Sequence, residues 1–165
     1  MTYINPVFTY GVERFLKRCA ECDICCVIIP DMPFEEKEEV AELFRQYDIK
    51  LISLIAPTSK QRIQTIAKEA EGFLYCVSSM GVTGMRSEIS SNVEEMIAQV
   101  KSVNNIPCAI GFGISTPQQA AAMAKIADGV IIGSAIVNIV AQHGENCIRP
   151  VTEFVQSVKE AILQV

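Results

Sequence analysis

Ile106-Pro107-Cys108-Ala109-Ile110-Gly111-Phe112-Gly113-Ile114-Ser115-Thr116-Pro117 is the stretch that decides the architecture of this chain. Its first half is apolar on both faces, as a strand covered by helices on either side must be. A glycine turn follows. Thr116-Pro117 then opens a helix, with proline at the first helical position, where its missing N–H costs nothing. Strand, tight turn and helix in so few residues make one unit of a parallel βα fold.

The same unit recurs on both sides. Short β-rich runs at 25–30, 50–55, 73–78 and 129–132 alternate with helical patterns, and residues 1–3 read as the tail of an earlier strand. Helices are predicted over 35–47, after Pro33 and with acidic residues in the first turn, and over 59–70, after Pro57-Thr58. Ser91-Asn92-Val93-Glu94 has capping-box spacing, so a further helix is predicted from there to 103. A short one runs from Gly133-Ser134 to about 142, and the last covers roughly 151–163. The expected fold is α/β, a partial (β/α) barrel of about five parallel strands forming the C-terminal part of an eight-stranded one, with residues 1–165 in one domain. At 165 residues the chain falls well short of the roughly 250 of a complete barrel.

Composition narrows the function. A formal net charge of -5 argues against a phosphodiester-backbone binder, which needs a basic face. No apolar run approaches the roughly 20 residues of a membrane helix, and the first residues lack a secretory pattern, so a soluble cytoplasmic protein is expected. Of the seven cysteines, Cys19, Cys22, Cys25 and Cys26 crowd together, a spacing that invites a metal reading. Strand geometry argues against it: Cys25 and Cys26 open an apolar run in which neighbouring side chains point to opposite faces. The single histidine, His143, lies far away along the chain, and buried free cysteine behaves as a small hydrophobe. No metal site and no cofactor are expected. His143, near a helix end, reads as a surface group.

Two glycine-rich turns follow consecutive strands: Gly111-Phe112-Gly113-Ile114-Ser115, and Gly133-Ser134 before the short helix. Glycine lets the backbone approach an anion, and a helix N-terminus aims unpaired N–H groups at it. Phosphate sites in barrels are often built from the last two βα loops and a short extra helix, so the paired turns point to a phosphate-binding end. Each turn taken singly is also what a helix needs to pack on its strand. One connection breaks the rhythm: Ser79 to Ser90 separates a strand from its helix by about a dozen residues, against the usual 2–6, which makes it a candidate lid or a tolerated surface insertion. Taken by themselves, Tyr75 and Phe112 read as core aromatics and Asp31 as a cap before Pro33.

Met1-Thr2-Tyr3-Ile4-Asn5-Pro6, Ile29-Pro30-Asp31-Met32-Pro33, Ser79-Met80-Gly81-Val82-Thr83-Gly84, Gly111-Phe112-Gly113-Ile114-Ser115 and Gly133-Ser134-Ala135-Ile136-Val137 resemble, in order, the signatures of tryptophan synthase α chains. The resemblance implies a retro-aldol cleavage of indole-3-glycerol phosphate to indole and glyceraldehyde 3-phosphate, with indole passed to a β subunit. By the same resemblance Gly84, Gly113, Gly133 and Ser134 would hold the phosphate. Tyr3, Tyr75 and Phe112 would line the substrate pocket, and Thr83 would orient a catalytic carboxylate. The family's catalytic glutamate and aspartate lie on the second strand and in the loop after it, whereas this chain begins at what resembles the end of the third. No catalytic residue is therefore assigned, and the chain alone is expected to be inactive, since the cleavage needs positioned acid–base groups. The alternative is a non-catalytic half-barrel that binds a phosphate ligand or a partner. An opened barrel exposes two sheet edges, so self-association is expected as well.

Overall fold

The computed structural model describes residues 1–77, 86–111 and 113–165, with the side chains of residues 86–91 left outside that description. The described residues form six short strands: β1 (Cys26–Ile28), β2 (Lys50–Ile52), β3 (Leu54–Ile55), β4 (Leu74–Val77), β5 (Cys108–Gly111) and β6 (Gly129–Ile131). The helices are α1 (Ile4–Tyr10), α2 (Val12–Glu21), α3 (Glu38–Gln46), α4 (Lys60–Lys68), α5 (Arg86–Lys101), α6 (Pro117–Ala124), α7 (Ser134–His143) and α8 (Ile148–Leu163). Every strand pairing is parallel, β1 with β2 and then β3-β4-β5-β6 in sequence order. This is the α/β, partial-barrel arrangement the alternation of strands and helices requires.

The run expected as one strand over 50–55 is divided at Ser53, which is 9% exposed. Lys50 to Ile52 pair with β1, while Leu54 and Ile55 pair with β4. The Tyr75 N–H donates to the Ser53 carbonyl at 3.0 Å, so the ladder crosses the break and no buried backbone group is abandoned. The division shows in the core. Val27 and Leu51 pack with Leu16, Cys19, Val40 and Phe44 in one cluster. Ile55, Leu74, Cys76, Cys108 and Ile110 pack with residues of α4, α5, α6 and α8 in another. Each large aliphatic side chain buried there contributes about 1.5–3 kcal/mol.

Helix starts follow local chemistry. Thr116 and Gln119 form a reciprocal capping box at α6 with Pro117 in its first turn, and the Ser59 hydroxyl accepts from the Arg62 N–H at α4. The helix predicted from Ser91 is already formed at Arg86, so residues 91–94 lie inside α5 and not at its start. The helix predicted over 35–47 divides into a 3-10 turn, Phe34–Glu36, and α3. The final helix begins at Ile148, a turn earlier than expected, because Pro150 is tolerated in its first turn.

Residues 1–3 form no strand. They run beside β1, where the Thr2 N–H donates to the Ile28 carbonyl at 3.0 Å. Asp31 does cap a helix, but α1 rather than the one after Pro33: its Oδ1 accepts the Ile4 N–H at 3.0 Å. At the opposite end of the sheet Asp128 Oδ2 accepts the Cys108 N–H at 2.8 Å and Lys101 Nζ at 3.0 Å. The Cys108 N–H first and Lys101 second hold the Asp128 carboxyl below its ordinary value. Of the four crowded cysteines only Cys19 is buried as a small hydrophobe, beside Leu16 and Val27; Cys26 is half-buried, and Cys22 and Cys25 are exposed, against that reading, while Cys76 and Cys108 are buried in the other cluster. No described helix is long and apolar enough to cross a membrane.

Candidate functional site

Strand register places the site. Val77 pairs with Gly111, and Gly111 with Ile131, so the connections after β4, β5 and β6 leave the sheet from one rim. Gly113 and Gly133 each follow a member of the Gly111–Ile131 pair by two residues. The two turns singled out in the sequence therefore emerge side by side, where open parallel sheets bind ligands.

The turns are not equivalent. Gly113 has φ +75°, a left-handed conformation that glycine alone adopts without strain. Beyond it, the start of α6 is occupied by its own side chains: Gln119 Oε1 accepts the Ser115 N–H at 2.9 Å, the Thr116 N–H at 3.2 Å and the Ser115 hydroxyl at 3.1 Å. Those donors are committed within the protein. Gly133 begins α7 with no side-chain cap, and a Cβ added to it would meet nothing within 4 Å among the described residues. Gly133 and Ser134 are both exposed. The first turn of α7 thus presents a positive helix end to open space, and the Ser134 hydroxyl stands at that end.

Tyr75 supplies the aromatic element. Alternation puts Leu74 and Cys76 in the core under the helices and turns Tyr75 to the other face of the sheet, the face of Ala109 and Gly111. Its ring lies directly across Gly111, where an added Cβ would collide with Oη, Cζ and Cε1 of Tyr75. Partial burial pushes the Tyr75 phenol above its ordinary value, so the group stays neutral at physiological pH. Tyr3 sits at the far edge of the sheet, 64% exposed, with β1 and the divided β2–β3 segment between it and the strand of Tyr75. None of the described strand residues is Asp or Glu. Asp31, the carboxylate that follows β1, is engaged by the Ile4 N–H. Among the described residues no group of three or more metal-ligating side chains is gathered.

A family model described as the tryptophan synthase alpha chain matches residues 1–163. The chain belongs to that family. It is 48% identical over 162 residues to the tryptophan synthase alpha chain of Lacticaseibacillus casei, across 98% of this chain and 61% of that relative. It is 50% identical over 149 residues to the alpha chain of Geobacillus stearothermophilus, across 90% of this chain and 55% of the relative. The solved structure of tryptophan synthase subunit alpha from Campylobacter jejuni superposes with a TM-score of 0.86 at 33% identity, across 94% of this chain and 62% of that one. The chain spans about 60% of the length of these relatives and corresponds to a C-terminal portion.

Of the residues expected to form a tryptophan synthase α-type site, the fold brings Gly113, Gly133 and Ser134 to one rim and stations Tyr75 on the inner face below it. Thr83, Gly84 and Phe112 lie outside the described residues. So does most of the candidate lid, since residues 86–90 belong to α5 and the connection itself is 78–85. Sequence reasoning missed Gly111, whose bare backbone makes room for Tyr75. It also missed Gln119, whose carboxamide occupies the donors at the start of α6. The Gln was legible as the fourth position of a Thr-x-x-Gln box; the clash with Tyr75 was not, because it joins two strands.

Proposed function

We propose that this chain carries the phosphate-holding half of a tryptophan synthase α site, in which a glycerol-phosphate group rests on the N-terminus of α7. The observation that carries this reading is the asymmetry of the two adjacent helix ends: α6 capped by Thr116 and Gln119, α7 uncapped beneath a glycine that opens to solvent. Gly133 and Ser134 offer backbone and hydroxyl donors, Gly113 shapes the neighbouring turn, and Gly84 adds a donor from the segment over the site. Tyr75 and Phe112 line the side of the pocket that takes the indole ring, with Tyr3 on its far wall and Thr83 orienting a carboxylate. The complete family chain would cleave indole-3-glycerol phosphate by a retro-aldol step and pass indole to a β subunit, in tryptophan biosynthesis in the cytoplasm.

On this reading the described strands supply neither the acid nor the base of the cleavage. It requires a proton delivered to the indole ring and another taken from a hydroxyl, and among the described residues no strand carries a carboxylate to do either. That observation equally favours a second reading, a non-catalytic half-barrel that binds a phosphate ligand. The decisive experiment measures indole release from indole-3-glycerol phosphate by this chain alone and supplemented in trans with the N-terminal segment of a relative. No release alone and release on supplementation support the lyase reading. Release without the supplement refutes the assignment of the missing carboxylates, and phosphate binding with no release in either case supports the binding half-barrel.

The open edge has a consequence for partners. Beside β6 an apolar groove of about 430 Å³ runs along α8, lined by Val130, Ile132, Ile136, Phe154, Val158 and Ile162. Among the described residues no strand pairs with the outer edge of β6, and this edge with the apolar groove beside it would drive self-association of the chain.

A further inference from the structure

The cysteine-rich segment before β1 is the feature that the phosphate site does not use. Cys25 and Cys26 were expected on opposite faces, yet their sulfurs stand 3.9 Å apart. Cys25 precedes the strand and Cys26 opens it, so the strict alternation of a strand does not yet hold between them. Cys25 is exposed and Cys26 half-buried, and both thiols are free. The pair is held in place by β1: the Lys50 N–H donates to the Cys25 carbonyl at 3.0 Å, and Cys26 is the register partner of Lys50. It lies at the N-terminal end of its strand, the opposite end from Gly113 and Gly133.

The separation discriminates between the chemistries open to two thiols. A direct disulfide needs the sulfurs at about 2.05 Å and distorts when its geometry is forced. Closing from 3.9 Å within adjacent residues would twist the peptide whose carbonyl holds Lys50. A closed zinc site needs about four ligands, and no cluster of three or more is gathered among the described residues. A single soft centre bonded to both sulfurs asks for neither. With bonds of about 2.3 Å, the length of a metal–thiolate bond, sulfurs 3.9 Å apart subtend about 116° at the shared atom. A pyramidal centre with an angle near 100° draws them together by only about 0.4 Å.

We propose that Cys25 and Cys26 form a vicinal dithiol site that binds a trivalent arsenical across both sulfurs. The condensation balances without an oxidant. An organoarsenic oxide loses its oxygen as one water, which takes up the two thiol protons, and two As–S bonds form. The ring that closes contains both side chains and the peptide between them, so the second bond is intramolecular and gains the advantage of effective concentration. Cys22, exposed but not paired to another thiol in this way, offers only one bond, and Cys76 and Cys108 are buried in the core.

The test uses the full chain, reduced with a phosphine and exposed to phenylarsine oxide, with intact mass as the readout. One adduct of the reagent less one water is expected, released by an excess of a 1,2-dithiol and retained in an equal concentration of a monothiol. Proteolysis should map it to the peptide containing both cysteines. Cys22→Ser should keep the adduct, while Cys25→Ser and Cys26→Ser should each lose it. Absence of an adduct in the wild type, its release by the monothiol, its mapping elsewhere, or its persistence in either of those two variants overturns the proposal.

Discussion

The ring of Tyr75 lies across Gly111, on the neighbouring parallel strand, so closely that the glycine has no room for a Cβ. One residue is fitted to the absence of a side chain on the other. Because Oη, Cζ and Cε1 would all be struck, the conflict belongs to the ring and not to the hydroxyl alone.

Gly111→Ala is therefore expected to destabilise the chain by about 1–3 kcal/mol, the usual cost of forcing extra volume into a packed site. Tyr75→Phe should not relieve it, whereas Tyr75→Ala should. Urea denaturation of the two single variants and the double variant checks this, with a coupling of at least about 1 kcal/mol expected between the positions. Additive effects would show that the ring simply moves aside.

At Gly133 the opposite holds. The added methyl of Gly133→Ala points into open space, at a φ of −113° that alanine adopts readily. Stability should change by less than about 0.5 kcal/mol, as for a surface substitution. Binding of glycerol 3-phosphate, followed by calorimetry or by NMR shifts of the α7 amides, should fall at least tenfold. Unchanged binding would remove α7 from the proposed site. Gly113→Ala should instead lower stability by about 1 kcal/mol, because φ is +75° there.

Asp128 ties the starts of β5 and β6 to the end of α5, and its carboxyl is held below the ordinary value by the Cys108 N–H and by Lys101. A group whose folded value is depressed contributes stability above its unfolded value, near pH 4, and loses it as pH falls through the folded value. The denaturation midpoint of the wild type should therefore drop more steeply between pH 5 and pH 2 than that of Asp128→Asn. Parallel curves would mean that the ion pair, half-open to solvent, has no net effect.

Exposed apolar side chains beside β6 should make the chain concentration-dependent. Val155 is 46% exposed and Leu163 75% exposed on α8, so lysine at either position is compatible with the fold. Sedimentation velocity is expected to show association at micromolar concentration that Val155→Lys combined with Leu163→Lys weakens. A compact wild-type monomer would refute self-association through this face.

Much of the fold was legible because the βα unit is written locally. Pro117 after Thr116, the acidic first turn before Val40 and the apolar runs at 106–111 and 129–132 each specify an element within a few residues. The errors fell where a neighbour outside the segment intervened. Ser53 divides an apolar run that is continuous in sequence, because the residues on its two sides pair with different strands and feed different cores. Ser91 has the right partner at Glu94 and still does not start its helix, since α5 is already formed at Arg86. Asp31 is a cap, but for a helix whose first residue lies 27 positions earlier.

By itself the sequence determined the alternation of strands and helices from residue 25 onward, the two glycine turns and the family, since each rests on short-range periodicity, turn chemistry or ordered motifs; α1 and α2 were not read from it. Tertiary structure alone decided which of those turns leaves a helix end open. It also decided which glycine exists for the sake of a tyrosine, and that Cys25 and Cys26 face each other. These relationships depend on register across strands and on the direction of individual side chains, and a one-residue shift in pairing would reverse them while leaving every local signal unchanged.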